Sequence, residues 1–431
     1  MFRYKVISVL SQKPRKVFER FTDYLHIVFP LISAIYFLFP SRKLYVIGVT
    51  GTDGKSSTVT LISKILKSNG YKVGYFSSVS YGDGNREFPN NSKMTTPGRF
   101  YLQKFLKELV KNKCSHAVLE ITSEGIKQYR HLSIGFNLVV LTNITPEHIE
   151  SHGSFENYWK AKESLLKKSW LDRKDKKAVI NLDGWRSEKF IEKLKLPFLA
   201  CSFSDISATI YGQADFNNIF ETKISVKSDT AKEIFHLKMG GPFVAQNVLT
   251  AIAVSLSSGI SLSEAKLTLE AIDLIPGRFE IVSKAPLVIV DYGHTIAALE
   301  KLLPYVRQHS MKPLVHVFGA AGGGRDKWKR PLLAKISEKY SDISIITEEN
   351  PFNENPDQIS SDIIKGFSPD HKFVPIPKRE DAVKKGFELV GREGTLLLTA
   401  KGSESVIAGP RGSRRPYNER EYLKWLISQP S

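Results

Sequence analysis

The sequence is poor in the groups that build disulfide-stapled or metal-tied folds. Its 431 residues include two cysteines, Cys114 and Cys201, too few for a disulfide framework or a four-thiolate zinc site. Such sparing use fits a reducing cytoplasm. There is no collagenous or low-complexity tract, and 42% apolar with 25% charged residues is a globular composition. A membrane-length hydrophobic run is also missing. HIVFPLISAIYFLFP (26–40) is strongly apolar, but it is fifteen residues long and contains Pro30, whereas a spanning helix needs about 20 residues. It lies behind a charged stretch with no small-residue cleavage site after it, which argues against a usual signal peptide. Acidic charge is the other shortage, since Lys+Arg exceed Asp+Glu by 18. That excess suits anionic small substrates, an acidic membrane surface or nucleic acid. No basic run is interleaved with aromatics, so nucleic acid is not expected as a partner.

The apolar stretch 26–40 has two readings. Flanking Lys13, Arg15, Lys16, Arg20, Arg42 and Lys43 would suit peripheral contact with the inner leaflet of a membrane. Alternatively it is a hydrophobic arm packed on the first domain.

What is present is concentrated first at residues 48–58, GVTGTDGKSST. The apolar run LYVIGV before it is long enough for a buried strand. After it, Val59, Ile62, Ile65 and Leu66 recur at helical spacing up to Gly70, a C-cap candidate. The glycines, Gly51 and Gly54 among them, let backbone N–H groups approach an anion beside a helix N-terminus. Thr52 and Ser57 belong to the same cradle, Lys55 would reach the outer phosphates, and the Ser56 hydroxyl would hold Mg²⁺. The strict phosphate-loop pattern asks for glycine where Val49 stands; Gly48 misses by one.

From residue 43 to about 275, strand-like runs (LYVIGV, KVGYFSS, HAVLEI, LVVLTN) alternate with helical stretches, as in a parallel-sheet α/β domain. Segment 205–240 reads as a small antiparallel insertion or edge, and 244–257 as a closing helix. PGRFE (276–280) reads as a hinge. A second βα series follows it to residue 431, a Rossmann-like domain without GxGxxG after its first strand. The expected organisation is an arm (1–42), a central ATP-binding domain (43–275) and a C-terminal ligand-binding domain (276–431).

Three later stretches narrow the chemistry. Glu120 ends the HAVLE strand, and LTNITPEHIESHG carries Asn143 and His148. If both strands neighbour the phosphate-loop strand, Glu120 and His148 converge near the nucleotide as Mg²⁺ or Mn²⁺ ligands. Lys162, in NYWKAKESLL, passes by itself for part of a solvated face.

Together these stretches resemble the Mur ligase family, most closely its UDP-N-acetylmuramyl-tripeptide synthetases. The resemblance is carried in order by GVTGTDGKSST, TTP (95–97), LEITSEGIKQYR (119–130), TNITPEHIESHG (142–153), YWKAK (158–162), NLD (181–183), PGRFE, VDYGHT (290–295), GGGRDKWKRP (322–331), ENPFNENP (349–356) and KGSE (401–404). It implies an ATP-dependent ligase that adds an amino acid to a muramyl-peptide acceptor through an acyl phosphate. By the same resemblance, Lys55 and Ser56 serve the ATP phosphates and a first Mg²⁺, and Glu120 and His148 a second metal. Lys162 matches a lysine that the family carbamylates. Asn247 and Arg278 match phosphate contacts and Asp291 a ribose contact, with Asn143 on the nucleotide side. Thr95, Thr96, Ser123, Gln128 and Arg130 match acceptor contacts; a guanidinium suits a carboxylate there. Glu349, Asn350, Phe352, Gly402 and Glu404 fall in the stretches that meet the amino-acid donor.

Three departures from the family pattern stand out. Only 42 residues precede the core where about a hundred-residue UDP-gripping domain is usual, which brings a lipid-linked or different acceptor into consideration. Phe352 stands where diaminopimelate-adding members carry arginine, which brings in a donor without the far carboxylate, such as lysine. Glu124, Glu147 and Gly184 replace a frequent histidine and two usual aspartates. Two alternatives therefore accompany the main reading: a same-superfamily ligase on a folate or polyamide, and a non-catalytic nucleotide-binding scaffold.

Overall fold

The structure is a computed structural model that describes residues 26, 28–90, 94–147, 149–167, 172, 174–192, 194–324 and 326–429. Residues 28–36 form a helix, α1. No helix among the described residues is long and apolar enough to cross a membrane.

A mixed sheet of eleven strands organises the chain up to Leu237. Its centre is β1 (Tyr45–Thr50), a buried Val/Ile strand of the kind parallel sheets require on both faces. The loop after β1 feeds α2 (Lys55–Ser68), which leads to β2 (Val73–Phe76) and a hairpin of β3 (Ser80–Gly82) and β4 (Glu87–Pro89). Helix α3 (Arg99–Lys111) returns the chain to β5 (His116–Glu120), α4 (Ser123–Lys127) follows, and then β6 (Leu138–Leu141). Both β5 and β6 pair with β1 in parallel, Val49 opposite Glu120 and Thr50 opposite Leu141. The chain thus passes to opposite sides of β1, a switch point that opens a crevice at the strands' C-terminal ends. Asn143 and Glu120 reach that crevice because their strands end there.

Helix α5 (Phe155–Leu166) precedes β7 (Lys177–Asn181) and β8 (Phe198–Ser202). The polar stretch beyond them is the antiparallel edge that its alternation predicts: β9 (Ile210–Asp215), β10 (Thr222–Lys227) and β11 (Lys232–Leu237). Helix α6 (Pro242–Ser257) packs with α2 on one face of the sheet, while α3 and α5 cover the other.

The second sheet has six strands, β12 (Glu280–Lys284), β13 (Leu287–Val290), β14 (Leu314–Phe318), β15 (Ile343–Ile346), β16 (Phe373–Pro375) and β17 (Thr395–Leu398). β13, β17, β14, β15 and β16 run parallel and β12 is an antiparallel edge. Two apolar layers, one on each face, bury it. Helix α7 (Ile296–His309) follows β13 and helix α8 (Arg330–Tyr340) follows β14; β18 (Val406–Ala408) and β19 (Arg414–Pro416) form a separate hairpin. The C-terminal ends of the parallel strands carry Asp291, Glu349–Phe352 and Lys401–Glu404, and they face the phosphate-loop crevice of the first sheet.

Candidate active site

The loop between β1 and α2 holds its shape through backbone freedom and buried side chains. Gly54 caps α2 with φ of 80°, a left-handed conformation, and a Cβ there would lie 2.2 Å from Asn247 Oδ1 on α6. Only glycine fits. Asn143 clasps the loop from β6: its Oδ1 accepts from Asp53 N at 3.0 Å, and its Nδ2 donates to the Asp53 carbonyl at 3.0 Å. The Thr52 hydroxyl is held by Tyr158 Oη at 2.8 Å and by the Thr145 amide at 2.9 Å. Ser57 is buried in the first turn of α2. The Lys55 ammonium curls onto its own loop, donating to the carbonyls of Gly51 (3.1 Å) and Thr52 (2.6 Å). No carboxylate neutralises it among the described residues, so an incoming phosphate would be its first anionic partner.

Across the crevice, Ser56 Oγ donates to Glu120 Oε2 at 2.9 Å and contacts Ser78 Oγ at 2.7 Å. The Ser78 amide also donates to Glu120 Oε2, at 2.8 Å. These bonds all fall on one carboxylate oxygen, and no hydrogen bond from a described residue occupies Oε1. From the second sheet's side, Arg278 Nη2 donates to Ser56 Oγ at 3.2 Å, and its guanidinium lies over the Tyr292 ring at 4.3 Å. Arg278 Nε is buried without a partner. Two cations without an ion-paired carboxylate among the described residues, Lys55 and Arg278, therefore flank Ser56 and Glu120. That is the charge pattern of an anion site.

Lys162 sits behind the loop rather than on a solvated face. It is 1% exposed, its ammonium donates to the Gly51 carbonyl, and it lies 4.6 Å from the Tyr158 ring centroid. Burial, reinforced by the neighbouring positive charge of Lys55 and opposed by Asp53, pushes its pKa well below that of an ordinary lysine. Burial raises the Tyr158 phenol above its usual range. A buried lysine whose surroundings disfavour its charge, in contact with a phosphate loop, is unusual in a protein interior.

Asp291 Oδ1 accepts from Gly293 N at 2.6 Å and Oδ2 from Phe279 N at 2.8 Å. Burial raises its carboxyl against the lowering effect of Arg278. The geometry makes Asp291 the brace that fixes the Arg278 backbone segment. On the acceptor side, Thr96 Oγ1 bridges the Glu120 carbonyl (3.1 Å) and the Thr122 amide (2.9 Å). Arg130 donates to the Thr96 carbonyl and, at 2.7 Å, to Gln128 Oε1. Ser123 opens α4 and is buried. Thr95 lines a cleft together with Ser78, Arg278, Tyr292 and Glu404, so the expected acceptor, phosphate and donor stretches share one cavity.

The donor stretches form their own network. Asn350 Nδ2 donates to Glu404 Oε2 at 2.9 Å, and its Oδ1 accepts the Ala408 amide at 2.9 Å. Lys401, fully buried, donates to Glu404 Oε2 at 2.6 Å. Glu349 is buried beside them, and Phe352 has a left-handed φ of 53° with its amide on the Ala408 carbonyl at 3.0 Å. Gly402, φ 51°, packs where a Cβ would come 2.7 Å from the Gly277 carbonyl of the PGRFE segment. His148, the expected metal ligand, lies outside the described residues.

Contacts between the two sheets' halves were invisible at the level of motifs. Thr295 Oγ1 donates to Asp53 Oδ2 at 3.1 Å. Lys329 and Glu147 form a buried ion pair at 2.7 Å, and the Lys327 amide donates to Glu150 at 3.0 Å. Burial raises the Glu147 carboxyl, with Lys329 opposing. Each partner lies in a motif already singled out, GGGRDKWKRP or PEHIESHG, but nothing in either stretch names the other.

Residues 49–255 match the Mur ligase middle domain, and residues 277–402 match the Mur ligase, glutamate ligase domain. A relative from Clostridium acetobutylicum, named UDP-N-acetylmuramoyl-L-alanyl-D-glutamate--2,6-diaminopimelate ligase 1, is 33% identical over 410 residues, 93% of this chain and 81% of that protein. The chain belongs to the Mur ligase family. Its members are ATP-dependent ligases that form carbon–nitrogen bonds and use Mg²⁺. A solved structure of a UDP-N-acetylmuramoyl-L-alanyl-D-glutamate--2,6-diaminopimelate ligase superposes with a TM-score of 0.60 at 26% identity, covering 89% of this chain and 78% of that one. Mycobacterium tuberculosis folylpolyglutamate synthase, complexed with ADP and AMPPCP, gives 0.71 at 15% identity over 94% and 96% of the two chains. At that identity the likeness is one of fold alone. The Mur ligase fold therefore accounts for the two sheets and the crevice between them.

Proposed function

We propose that this Mur ligase family member joins an amino acid to a muramyl-peptide acceptor, using ATP and passing through an acyl phosphate. The observation that carries the reading is the convergence of Ser56, Glu120 and Arg278 over the phosphate loop, with Lys55 beside them bonded to loop carbonyls and to no carboxylate of the described residues. Lys55 leaves its loop carbonyls for the outer phosphates, and the backbone around Gly51 and Gly54 receives the phosphate oxygens. Arg278 offers its unpartnered donors to charge on the transferring phosphoryl group. Glu120 Oε1 and Ser56 Oγ are hard oxygen donors suited to Mg²⁺. Among the described residues no three His, Cys, Asp or Glu side chains group together. The bound cation supplies charge neutralisation at the phosphates. A second cation would be held by Glu120 with His148 and by Lys162 once carbamylated; burial of Lys162 favours its uncharged amine, the form that adds CO₂.

The acceptor carboxylate attacks the γ-phosphorus, ADP leaves, and the donor amine then displaces phosphate from the acyl carbon. Arg130, Gln128, Ser123, Thr95 and Thr96 position the acceptor. The Glu349–Phe352 and Gly402–Glu404 segments receive the donor, Asn247 and Asn143 shape the nucleotide pocket, and Asp291 holds Arg278 in register. Contacts between the halves at Asp53–Thr295 and Glu147–Lys329 exclude water while the acyl phosphate lives. The arm 1–42, the central part 43–275 and the C-terminal part 276–431 act as the three working units. The setting is the cytoplasm, with residues 26–40 in peripheral contact with the inner membrane face.

The test is a hydroxylamine trap with saturating ATP, UDP-muramyl dipeptide and no amino acid. Hydroxamate and ADP are expected in equal amounts. ATP binding without either product would overturn the reading. A panel of lysine and diaminopimelate then identifies the donor.

A further inference from the structure

Helix α1 turns little of its apolar surface inward. Ser33 and Ala34 are buried, with Ser33 at the start of α3. Phe29, Ile32 and Tyr36, at helical spacing along one stripe, are half or more exposed, Tyr36 to 70% and nearby Leu38 to 72%. A stripe so placed would be excluded from water in most soluble proteins.

A second element extends the patch. Phe100, 55% exposed on α3, packs against Tyr36 at 5.5 Å and Phe37 at 4.9 Å between ring centroids, and exposed Tyr101 follows it. The same exposed side of α3 carries Lys104, Lys107 and Lys111 against a single acid, Glu108. Residues 1–43 contain eight Lys/Arg against two acids. Aromatic and aliphatic side chains bordered by lysines are the make-up of an interfacial surface for anionic lipid.

The patch adjoins the acceptor side of the cleft. Arg99, the first residue of α3, donates to the Gln128 carbonyl at 3.0 Å, and Gln128 in turn accepts from Arg130. Arg99 and Arg130 have depressed pKa values, each chiefly through burial, and Arg99 also through the nearby Arg130 charge. No carboxylate forms an ion pair with either among the described residues.

We propose that α1 and the exposed side of α3 dock onto an anionic bilayer, so that the Arg99–Gln128–Arg130 side of the cleft meets an acceptor itself anchored by a lipid tail. The acceptor half of this proposal rests on the ligase reading above; the docking half does not. The experiment is flotation of the full chain with phosphatidylcholine vesicles, with and without about one third phosphatidylglycerol. In parallel, ADP formation is followed on a soluble UDP-linked muramyl peptide and on the same peptide carried by a lipid tail in those vesicles. We expect at least tenfold tighter binding to the anionic vesicles, reduced by high salt. Ile32→Asp with Phe100→Asp should lose at least tenfold in binding while keeping its rate on any soluble acceptor. Lys104→Glu with Lys107→Glu, which leaves the apolar patch intact, should weaken binding to anionic vesicles only. The lipid-tailed acceptor should be used at least tenfold more efficiently, an advantage the Asp variant removes.

Docking is overturned if the wild type stays with neither vesicle, binds both equally, or instead forms a dimer that the Asp variant abolishes. Equal use of the two acceptors overturns the acceptor half. Vesicle binding with ADP from neither acceptor overturns the ligase reading and leaves the docking face standing.

Discussion

Arg278 Nη2 donates to Ser56 Oγ at 3.2 Å although 222 residues separate them in the chain. The bond joins the PGRFE segment, which enters the second sheet, to the first turn of the helix behind the phosphate loop. One guanidinium therefore senses both the hydroxyl that would hold Mg²⁺ and the relative position of the two halves. Asp291 keeps it there by accepting the Phe279 amide next in the chain. On the proposed reading, closure and phosphate chemistry would be coupled through this one side chain.

Arg278→Ala should lower kcat by about 10²- to 10³-fold, the range for removing one preorganised donor to transition-state charge. Arg278→Lys should recover little, because a point charge cannot keep both the Ser56 bond and a phosphate contact. ATP affinity, measured by calorimetry, should change less than kcat. An unaltered kcat in both variants would leave Arg278 a structural linker only.

The carbamate proposed at Lys162 predicts that turnover depends on bicarbonate. Its folded pKa lies far below the ordinary value because the ammonium is buried beside Lys55. For a base with a depressed folded pKa, the unfolded chain binds the extra proton, so this group's penalty on stability grows as pH falls below the unfolded value and vanishes above it. The same depression favours the uncharged amine, the form to which CO₂ adds. Enzyme stripped of CO₂ at mildly acidic pH should be slow and should regain activity with added bicarbonate. Lys162→Ala should show neither the loss nor the recovery, and a bicarbonate-indifferent wild type would refute the carbamate.

Much of this site could be read from the chain because its signals are local. The β1–loop–α2 unit announces itself by an apolar run, three glycines and helical spacing, and the structure ends α2 at Ser68 with Gly70 just beyond at φ 83°. The expectation that Glu120 ends a strand beside β1 holds, because strands buried on both faces are the most strongly patterned elements, whereas β6 ends at Leu141, two residues before the expected Asn143. The hairpins β3–β4 and β18–β19 were not legible, since three-residue strands carry no period. Lys162 looked like one lysine among many; its burial depends on Tyr158 and the Gly51 carbonyl, which no spacing encodes. Asn143 and Thr52, expected on the nucleotide side, also hold the loop itself through their side-chain polar atoms. Glu147 and Lys329, 182 residues apart, meet only through the packing of the two halves.

The Glu147–Lys329 pair should govern closure. Removing one partner of a buried ion pair strands the other charge, typically about 3–5 kcal/mol. Here much of that penalty is avoided by opening the interface to water. Lys329→Met should therefore leave the melting temperature nearly unchanged while raising ADP formation without amide product, as water reaches the acyl phosphate. Lys329→Met with Glu147→Leu should restore coupling better than either single change. The ratio of ADP to amide product, by coupled assay and chromatography, checks it; a ratio fixed at one in Lys329→Met would exclude a role in closure.

The proposed reading predicts that donor choice turns on residue 352. Phe352 holds a left-handed backbone next to Asn350, and Asn350 and Lys401 both bond Glu404, so the backbone at 352 is tied to that network. An arginine would inherit that backbone and bring a fork able to pair a distant carboxylate bidentately. Phenylalanine offers nothing to such a group and would leave it desolvated, so the wild type should favour lysine over diaminopimelate. Phe352→Arg should move the ratio of kcat/KM values toward diaminopimelate by at least about tenfold, equivalent to about 1.4 kcal/mol. It should do so mainly through KM for the donor, with ADP formation on the acceptor alone unchanged. If the variant's ratio equals the wild type's, the side chain at 352 does not face the donor, and selection must come from elsewhere around Glu404.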